Sequence, residues 1–215
     1  MMHVRWRGLE LPASVILDEQ SATDTFGRFT VEPFEGGFGT TIGNSLRRIL
    51  LSTIEGSAIT SIRVSGAEHE FCTIQGVTQD MVDIVLNVKS LVVESESDEP
   101  KVLRLSAKGP GEVTADLIET DASVTVYNPD HVIATLTDEI DFEMELTICK
   151  GRGYVPASQQ YENAEEQIIG DLPIDAAFSP VQRVRYRVEN TRVGQQTNFD
   201  RLILDIWTDG TVSPQ

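Results

Sequence analysis

Residues 35–51 read EGGFGTTIGNSLRRILL, a glycine-rich turn that leads into an amphipathic helix. Four apolar residues of this stretch recur at the i, i+4, i+7 and i+8 spacing and therefore share one predicted helical face. They are Ile42, Leu46, Ile49 and Leu50. Thr40 or Thr41 is suited to cap the start of the helix. Arg47 and Arg48 diverge by about 100° on a helix, so the pattern predicts a surface for protein contact.

A glycine-rich turn before a helix is also typical of phosphate-binding loops. The P-loop requires a Lys and then Ser or Thr after its last glycine, whereas Gly43 is followed by Asn-Ser. The dinucleotide fingerprint requires glycines at positions 1, 3 and 6, but in the register of Gly37 and Gly39 the sixth position is Ile42. A nucleotide-binding enzyme is therefore the weaker alternative, and a tight turn into a helix explains the glycines.

Other short sequence motifs occur along the chain. They are EPFE at 32–35, HEF at 69–71, GV at 76–77, LNVK at 86–89, HVI at 131–133, LTDE at 136–139, GRGYVPA at 151–157, DA at 175–176 and SPV at 179–181. Together with the stretch at 37–52, these blocks resemble the amino-terminal assembly and dimerisation domain of the bacterial DNA-directed RNA polymerase alpha subunit. The resemblance runs to about residue 210.

The charge balance limits the partners of the chain. Its 34 acidic and 17 basic residues give a formal net charge of -17, and such a surface repels DNA phosphates. We therefore expect no direct DNA binding. No apolar run is long enough to span a membrane, and residues 1–7 lack the apolar core of a signal peptide. Cys72 and Cys149 form no disulfide framework, so we expect a cytoplasmic protein.

Outside the first helix, the pattern predicts mainly strands. They are expected at 15–17, 28–31, 59–64, 102–105, 124–127, 132–136 and 140–148. The run at 140–148 alternates apolar and polar residues throughout, which indicates one dry and one wet face. Runs at 184–188 and 202–206 are predicted to pair as antiparallel strands through a loop at Gly194, completing a sheet begun before residue 32.

A second helix is predicted to end near Lys89. Thr78 is its expected cap, with Val77 and Val82 as a hydrophobic staple. Val82, Val85 and Leu86 are its expected buried stripe, and Lys89 in the last turn suits the helix dipole.

These elements predict an α+β fold. The resemblance implies a split assembly domain, an antiparallel sheet with helices formed by 1–54 plus 180–215, interrupted by a β-rich insert domain at 55–179. It also implies a further helix, a linker and a small DNA-binding domain beyond the Asp209-Gly210 turn, whereas this sequence ends at Gln215. We therefore expect no promoter contacts and a weakened dimer.

Candidate catalytic groups are few. Asp141, Glu143 and Glu145 share a strand face that could bind magnesium, but a solvated strand face explains them better. His69 and Cys72 lack the second ligand pair of a zinc site. There is no aspartate-rich loop for two catalytic metals. We therefore expect no catalytic residue, no metal and no cofactor in this chain.

The resemblance implies a scaffold. It implies a subunit of the transcription enzyme, which is a nucleotidyltransferase. This subunit would form a homodimer and recruit the beta and beta-prime subunits. It would lie in the cytoplasm, associated with the nucleoid as part of the polymerase. A stand-alone homodimeric protein-interaction module is the other alternative.

The resemblance also implies three sets of contact residues. The dimer interface would contain Phe34, Phe38, Ile42, Ser45, Leu46, Ile49 and Leu50. Beta would contact Asn44, Arg47, Arg48, Leu51, Arg152 and Tyr154. Beta-prime would contact Lys89, Asp175, Ser179 and Pro180. The composition of the 151–156 loop, with Arg, Tyr and Pro between glycines, is typical of an interface hot spot.

Overall fold

The computed structural model describes residues 12, 14–159 and 170–215. Residues 1–7, on which the prediction about a signal peptide depends, lie outside this part. No helix in the described ranges is long and apolar enough to cross a membrane. The chain divides into two compact units, Met1–Ile54 with Val181–Gln215, and Glu55–Pro180. Pro180 lies in the second unit, one residue beyond the predicted end of the insert.

The elements follow one another in chain order. They are β1 (Val15–Leu17), β2 (Phe26–Glu35), α1 (Phe38–Ser52), β3 (Glu55–Val64), α2 (Met81–Lys89), β4 (Val93–Ser95), β5 (Lys101–Lys108), β6 (Gly111–Thr114), a 3-10 turn (Ala115–Leu117), β7 (Ile118–Glu119), β8 (Val124–Val126), β9 (Val132–Leu136), β10 (Asp141–Arg152), β11 (Tyr154–Val155), β12 (Leu172–Pro173), β13 (Ala176–Ala177), β14 (Val181–Val193) and β15 (Gln196–Thr208). Antiparallel sheets with a few helices confirm the α+β class.

The first unit contains a four-stranded antiparallel sheet in the order β1-β2-β15-β14. The hairpin predicted after residue 180 is confirmed, with Val184 opposite Ile206 and Val188 opposite Leu202. Gly194 takes a positive φ of 61° in its turn, a conformation that glycine adopts without steric cost. β15 then pairs with β2, so the two ends of the chain share one sheet.

Helix α1 packs on this sheet through two glycines. A Cβ at Gly43 would lie 2.7 Å from Tyr186 Cδ2 and 2.8 Å from Leu202 Cδ1, so only glycine permits this close approach. Gly39 and Gly43 are buried, and Leu46 and Leu50 of the same face pack against the core of the unit. That core contains Val181, Val184, Leu204 and Ile206.

The second unit is built around a five-stranded antiparallel sheet in the order β12-β3-β10-β5-β7. β10 lies at its centre, and the alternation predicted for 140–148 is confirmed. Phe142, Met144, Leu146 and Ile148 are buried, while Asp141 and Glu143 are exposed. Three two-stranded ribbons complete the unit, β4 with β8, β6 with β9, and β11 with β13.

The predicted start and buried stripe of α2 are both wrong. The helix begins after Asp80, whose side chain accepts a hydrogen bond from the Asp83 N–H at 2.8 Å. Thr78 instead joins a neighbouring segment, since its N–H donates to the Thr135 carbonyl. The buried residues are Met81, Ile84 and Val88, whereas Val82 and Leu86 are 39% and 53% exposed and Val85 is half-buried. Both stripes have helical spacing, and the adjoining core selects between them.

Candidate subunit-contact surfaces

A buried carboxylate, and not a threonine, holds the start of α1. The N–H groups of Gly37 and Gly39 donate to Asp200 Oδ2 at 2.8 and 3.1 Å, and Asp200 is only 7% exposed. The predicted cap at Thr40 or Thr41 is wrong, because the helix begins three or four residues earlier, after Gly37 at φ 91°. The anion position at this helix terminus is filled by the chain's own Asp200, which opposes the nucleotide-binding alternative.

The predicted apolar face of α1 splits into two. Leu46 and Leu50 join Gly39 and Gly43 toward the sheet. We call the adjacent row the outer stripe; it runs at the i, i+4, i+7 and i+11 spacing. Its members are Phe38, Ile42, Ser45 and Ile49.

The outer stripe is accessible. Phe38 is 47% and Ile49 is 53% exposed, while Ile42 is half-buried. Phe34, which the sequence also placed at a dimer interface, is only 5% exposed and so has little surface to offer a partner. The predicted single face of Ile42, Leu46, Ile49 and Leu50 is therefore wrong. The sheet covers a narrower arc of the helix than the sequence pattern suggested.

The two arginines of α1 point in different directions. At about 100° per residue, Arg48 lies roughly opposite the row that faces the sheet, and Arg47 lies beside that row. Both side chains are exposed, and within the described ranges neither forms an ion pair. Asn44 is exposed, whereas Leu51 is half-buried against the core.

In the second unit, three predicted contact residues form one group. Lys89 Nζ lies 2.8 Å from Asp175 Oδ2, and the Ala157 N–H donates to Asp175 Oδ1 at 2.9 Å. The Tyr154 hydroxyl also hydrogen-bonds Asp175, and its ring is 61% exposed. We call these four residues the Asp175 cluster. Tyr154, predicted to contact beta, thus shares a partner with Lys89, predicted to contact beta-prime.

Hydrogen bonding sets the charges of the Asp175 cluster. The Ala157 N–H and then the Lys89 ammonium lower the pKa of Asp175 to about 2. The hydrogen bond to this carboxylate in turn raises the pKa of the Tyr154 hydroxyl. The carboxylate is therefore ionised and the phenol protonated at neutral pH, so the donors of the cluster converge on one negative charge.

The contribution of the Asp175 cluster to folding stability should be lost over a defined range of low pH. A carboxyl whose pKa is lower in the folded chain adds stability above its unfolded pKa of about 3.9, and this contribution is lost as the pH falls toward about 2. We expect Asp175→Asn to lose stability at neutral pH and to show a flatter acid dependence between about pH 4 and pH 2, measured by denaturant unfolding. Asp141→Asn, an exposed control, should keep the parent profile; the same profile in Asp175→Asn would contradict the assignment.

The other predicted contact residues differ in accessibility. Arg152 Nε binds Glu55 Oε1 at 3.0 Å, with both side chains more than 60% exposed, a pairing that adds little stability. Ser179 is half-buried and Pro180 is buried. Pro180 is therefore a poor candidate for direct contact.

The acidic face of β10 is a surface of ion pairs. Glu145 accepts from Arg63 at 3.3 Å and lies 3.4 Å from Arg104 Nε, and Asp141 lies 3.4 Å from Lys108. Among the residues that the structure describes, no three His, Cys, Asp or Glu side chains are grouped to hold a metal ion. This arrangement supports a solvated strand face over a magnesium site.

Comparison with known proteins identifies the family of this chain. A family model described as the RNA polymerase Rpb3/RpoA insert domain matches residues 61–179, more than half of the chain. The chain belongs to the RNA polymerase alpha-subunit family. The resemblance drawn from the sequence blocks is thereby confirmed, and the matched residues lie within the second unit.

Curated relatives extend the family match over both units. The DNA-directed RNA polymerase subunit alpha of Rhodopirellula baltica is 55% identical over 214 residues, covering 100% of this chain and 64% of the relative. That of Symbiobacterium thermophilum is 51% identical over 209 residues, covering 96% of this chain and 65% of the relative. The chain spans less than two thirds of the length of these family members.

Proposed function

We propose that this alpha-family chain is a non-catalytic scaffold subunit of a bacterial DNA-directed RNA polymerase. It forms a homodimer and recruits the beta and beta-prime subunits, which supply the catalytic residues of the nucleotidyltransferase. The chain works in the cytoplasm, associated with the nucleoid as part of the polymerase, without a cofactor of its own. The observation that carries the proposal is the outer stripe, an exposed apolar row on a helix whose adjacent row already packs against the unit's core.

A second copy of the chain is the proposed partner of the outer stripe. Burying about 600–800 Å² of apolar surface at 25 cal/mol/Å² gives roughly 15–20 kcal/mol of gross stabilisation. Association entropy and side-chain ordering offset most of this amount. We therefore propose a dimer of micromolar strength.

Disrupting the outer stripe should dissociate this dimer. An Ile49→Asp variant puts a carboxylate into the proposed interface, where desolvation without a partner is costly. We expect sedimentation velocity to show the parent chain shifting toward dimer with rising micromolar concentration, and the variant to stay monomeric with unchanged circular dichroism. Leu117→Asp, at a site 40% exposed in the other unit, should dimerise like the parent. A parent that is monomeric at high micromolar concentration would refute the interface.

The outer face of α2 and the Asp175 cluster form the proposed surface for a large subunit. Val82, Leu86 and Lys89 follow the i, i+4, i+7 spacing, with the two apolar side chains 39% and 53% exposed. An apolar patch with a polar rim is characteristic of an interface. Because Tyr154 and Lys89 share Asp175, we propose that both contact the same large subunit. The separate assignment of residues to beta and beta-prime still rests on the family resemblance.

The chain should not bind promoter DNA by itself. Its net charge of -17 opposes the phosphate contacts that supply most DNA affinity. We expect no change in fluorescence anisotropy of a labelled promoter duplex at low salt, with a basic DNA-binding protein as the positive control. A complex that weakens steeply with added salt would contradict this expectation.

A further inference from the structure

Strand β14 carries an arginine row in a strongly acidic chain. Arg183, Arg185 and Arg187 alternate with Val184 and Tyr186, which pack in the core of the unit beside α1. Because successive side chains of a strand point to opposite faces, the three arginines lie on the face of the sheet away from α1. All three are exposed, and the chain as a whole has a net charge of -17.

The carboxylates on this face lie beside arginines outside the row; Glu189, two residues after Arg187, is opposite Arg201 in the strand register. Asp205 is opposite Arg185 in the strand register, but its two oxygens accept from Arg28 at 2.6 and 3.3 Å. Glu32, on β2, similarly binds Arg201 Nε at 2.6 Å.

The arginines themselves have few partners. The Arg183 guanidinium lies 4.8 Å from the centre of the Trp207 ring, which keeps it on this face. In the part of the chain that the structure describes, Arg185 and Arg187 form no ion pair. The row therefore retains positive charge that an external anion can use.

The row also lies on an edge strand. β14 pairs with β15 on one side, and among the described strands none pairs with its other side. From Arg183 onward, its outer edge thus offers backbone donors and acceptors to an added strand. Alternate residues of an extended chain repeat at about 6.6–6.8 Å, so acidic residues at alternate positions of an added strand would match the arginine spacing.

We propose that the outer edge of β14 binds an extended acidic segment of a partner protein by strand addition. The backbone edge supplies register, and the arginine row selects carboxylates at alternate positions. A peptide fits these two features better than a nucleic acid does, because the phosphate backbone cannot pair with a strand edge. The acidic remainder of the chain also repels a long polyanion more than a short segment that senses only nearby charges. This surface goes beyond the scaffold function and does not depend on the dimer.

A synthetic peptide tests this proposal. The probe is a fluorescein-labelled ten-residue peptide of alternating Glu and Val, titrated with the whole chain and followed by anisotropy. We expect Arg185→Glu/Arg187→Glu to weaken binding at least roughly tenfold, the effect of losing about 1.4 kcal/mol. The control Arg104→Glu/Lys108→Glu makes the same charge change at exposed sites of β5 and should stay within about twofold of the parent. A central proline in the peptide should also weaken binding, because it removes a backbone donor.

Three results would overturn the proposal. Equal loss of binding in both charge variants would show a non-specific effect of charge. Tighter binding of a ten-nucleotide single-stranded DNA, with the same dependence on Arg185 and Arg187, would identify a nucleic-acid surface instead. Absence of peptide binding by the parent chain at millimolar peptide would leave the arginines as charges that only protect the edge from aggregation. Circular dichroism of each variant establishes that it is folded.

Discussion

Replacing Arg48 with alanine should leave the fold and the homodimer intact while weakening binding to the polymerase beta subunit at least roughly 30-fold. Arg48 is exposed on the side of α1 away from the sheet, so its truncation removes no core contact. A guanidinium can bind a carboxylate or carbonyls with two parallel hydrogen bonds. If the contact with beta is desolvated, its loss costs about 2–5 kcal/mol of assembly free energy.

The measurement is a pull-down of purified beta by each purified variant, with circular dichroism and sedimentation alongside. Arg104→Ala, which removes a 74% exposed guanidinium from the other unit, is the matched control and should capture beta like the parent. Leu46→Asp should instead damage folding or dimerisation, because Leu46 packs on the core. Equal capture of beta by Arg48→Ala and the parent would make Arg48 an ordinary solvated residue.

A Gly43→Leu variant should destabilise the first unit by about 3 kcal/mol, near the upper end of the cost of overpacking. Even the first added carbon would lie 2.7 Å from the Tyr186 ring and 2.8 Å from Leu202, so α1 could not keep its close packing on the sheet. On a solvent-exposed helical face the same change would stabilise the helix, since leucine is the better helix former.

Denaturant unfolding measures this effect, and Thr40→Leu on an exposed position of α1 is the control. We expect the control to stay within about 0.5 kcal/mol of the parent. If Gly43→Leu proved as stable as the control, the close approach of helix and sheet would be wrong.

Local patterns predicted the parts of the fold in which one face is dry and the other wet. β10 is such a case, because its alternation alone specifies which side chains are buried. The β14–β15 hairpin is another, since a glycine turn between two alternating runs favours antiparallel pairing. Short ribbon strands such as β11 and β13 were missed because two residues are too few to show a period.

Tertiary neighbours decided what the local patterns left open. On α2, stripes at 81/84/88 and 82/85/86 both fit a helix, and the surrounding core buries the first. On α1, Gly39, which the sequence assigned to the turn, forms part of the buried face together with Gly43. Asp200 caps α1 from 161 residues away, which no local capping rule can detect.

The sequence likewise predicted individual contact residues but not how the fold groups them. Family blocks identified Lys89, Tyr154 and Asp175 one by one, but their shared hydrogen bonds join residues as much as 86 positions apart. The arginine row of β14 was visible as an alternation, whereas its place at the sheet edge required the strand order.

Native mass spectrometry of the chain mixed with purified beta subunit tests the scaffold proposal most directly. We expect a particle that contains two copies of this chain and one beta, and that takes up one beta-prime when it is added. The Ile49→Asp variant should fail to form the particle with two copies. Absence of a complex between the parent chain and beta, or a complex that contains only one copy at concentrations at which the chain dimerises, would contradict the proposal.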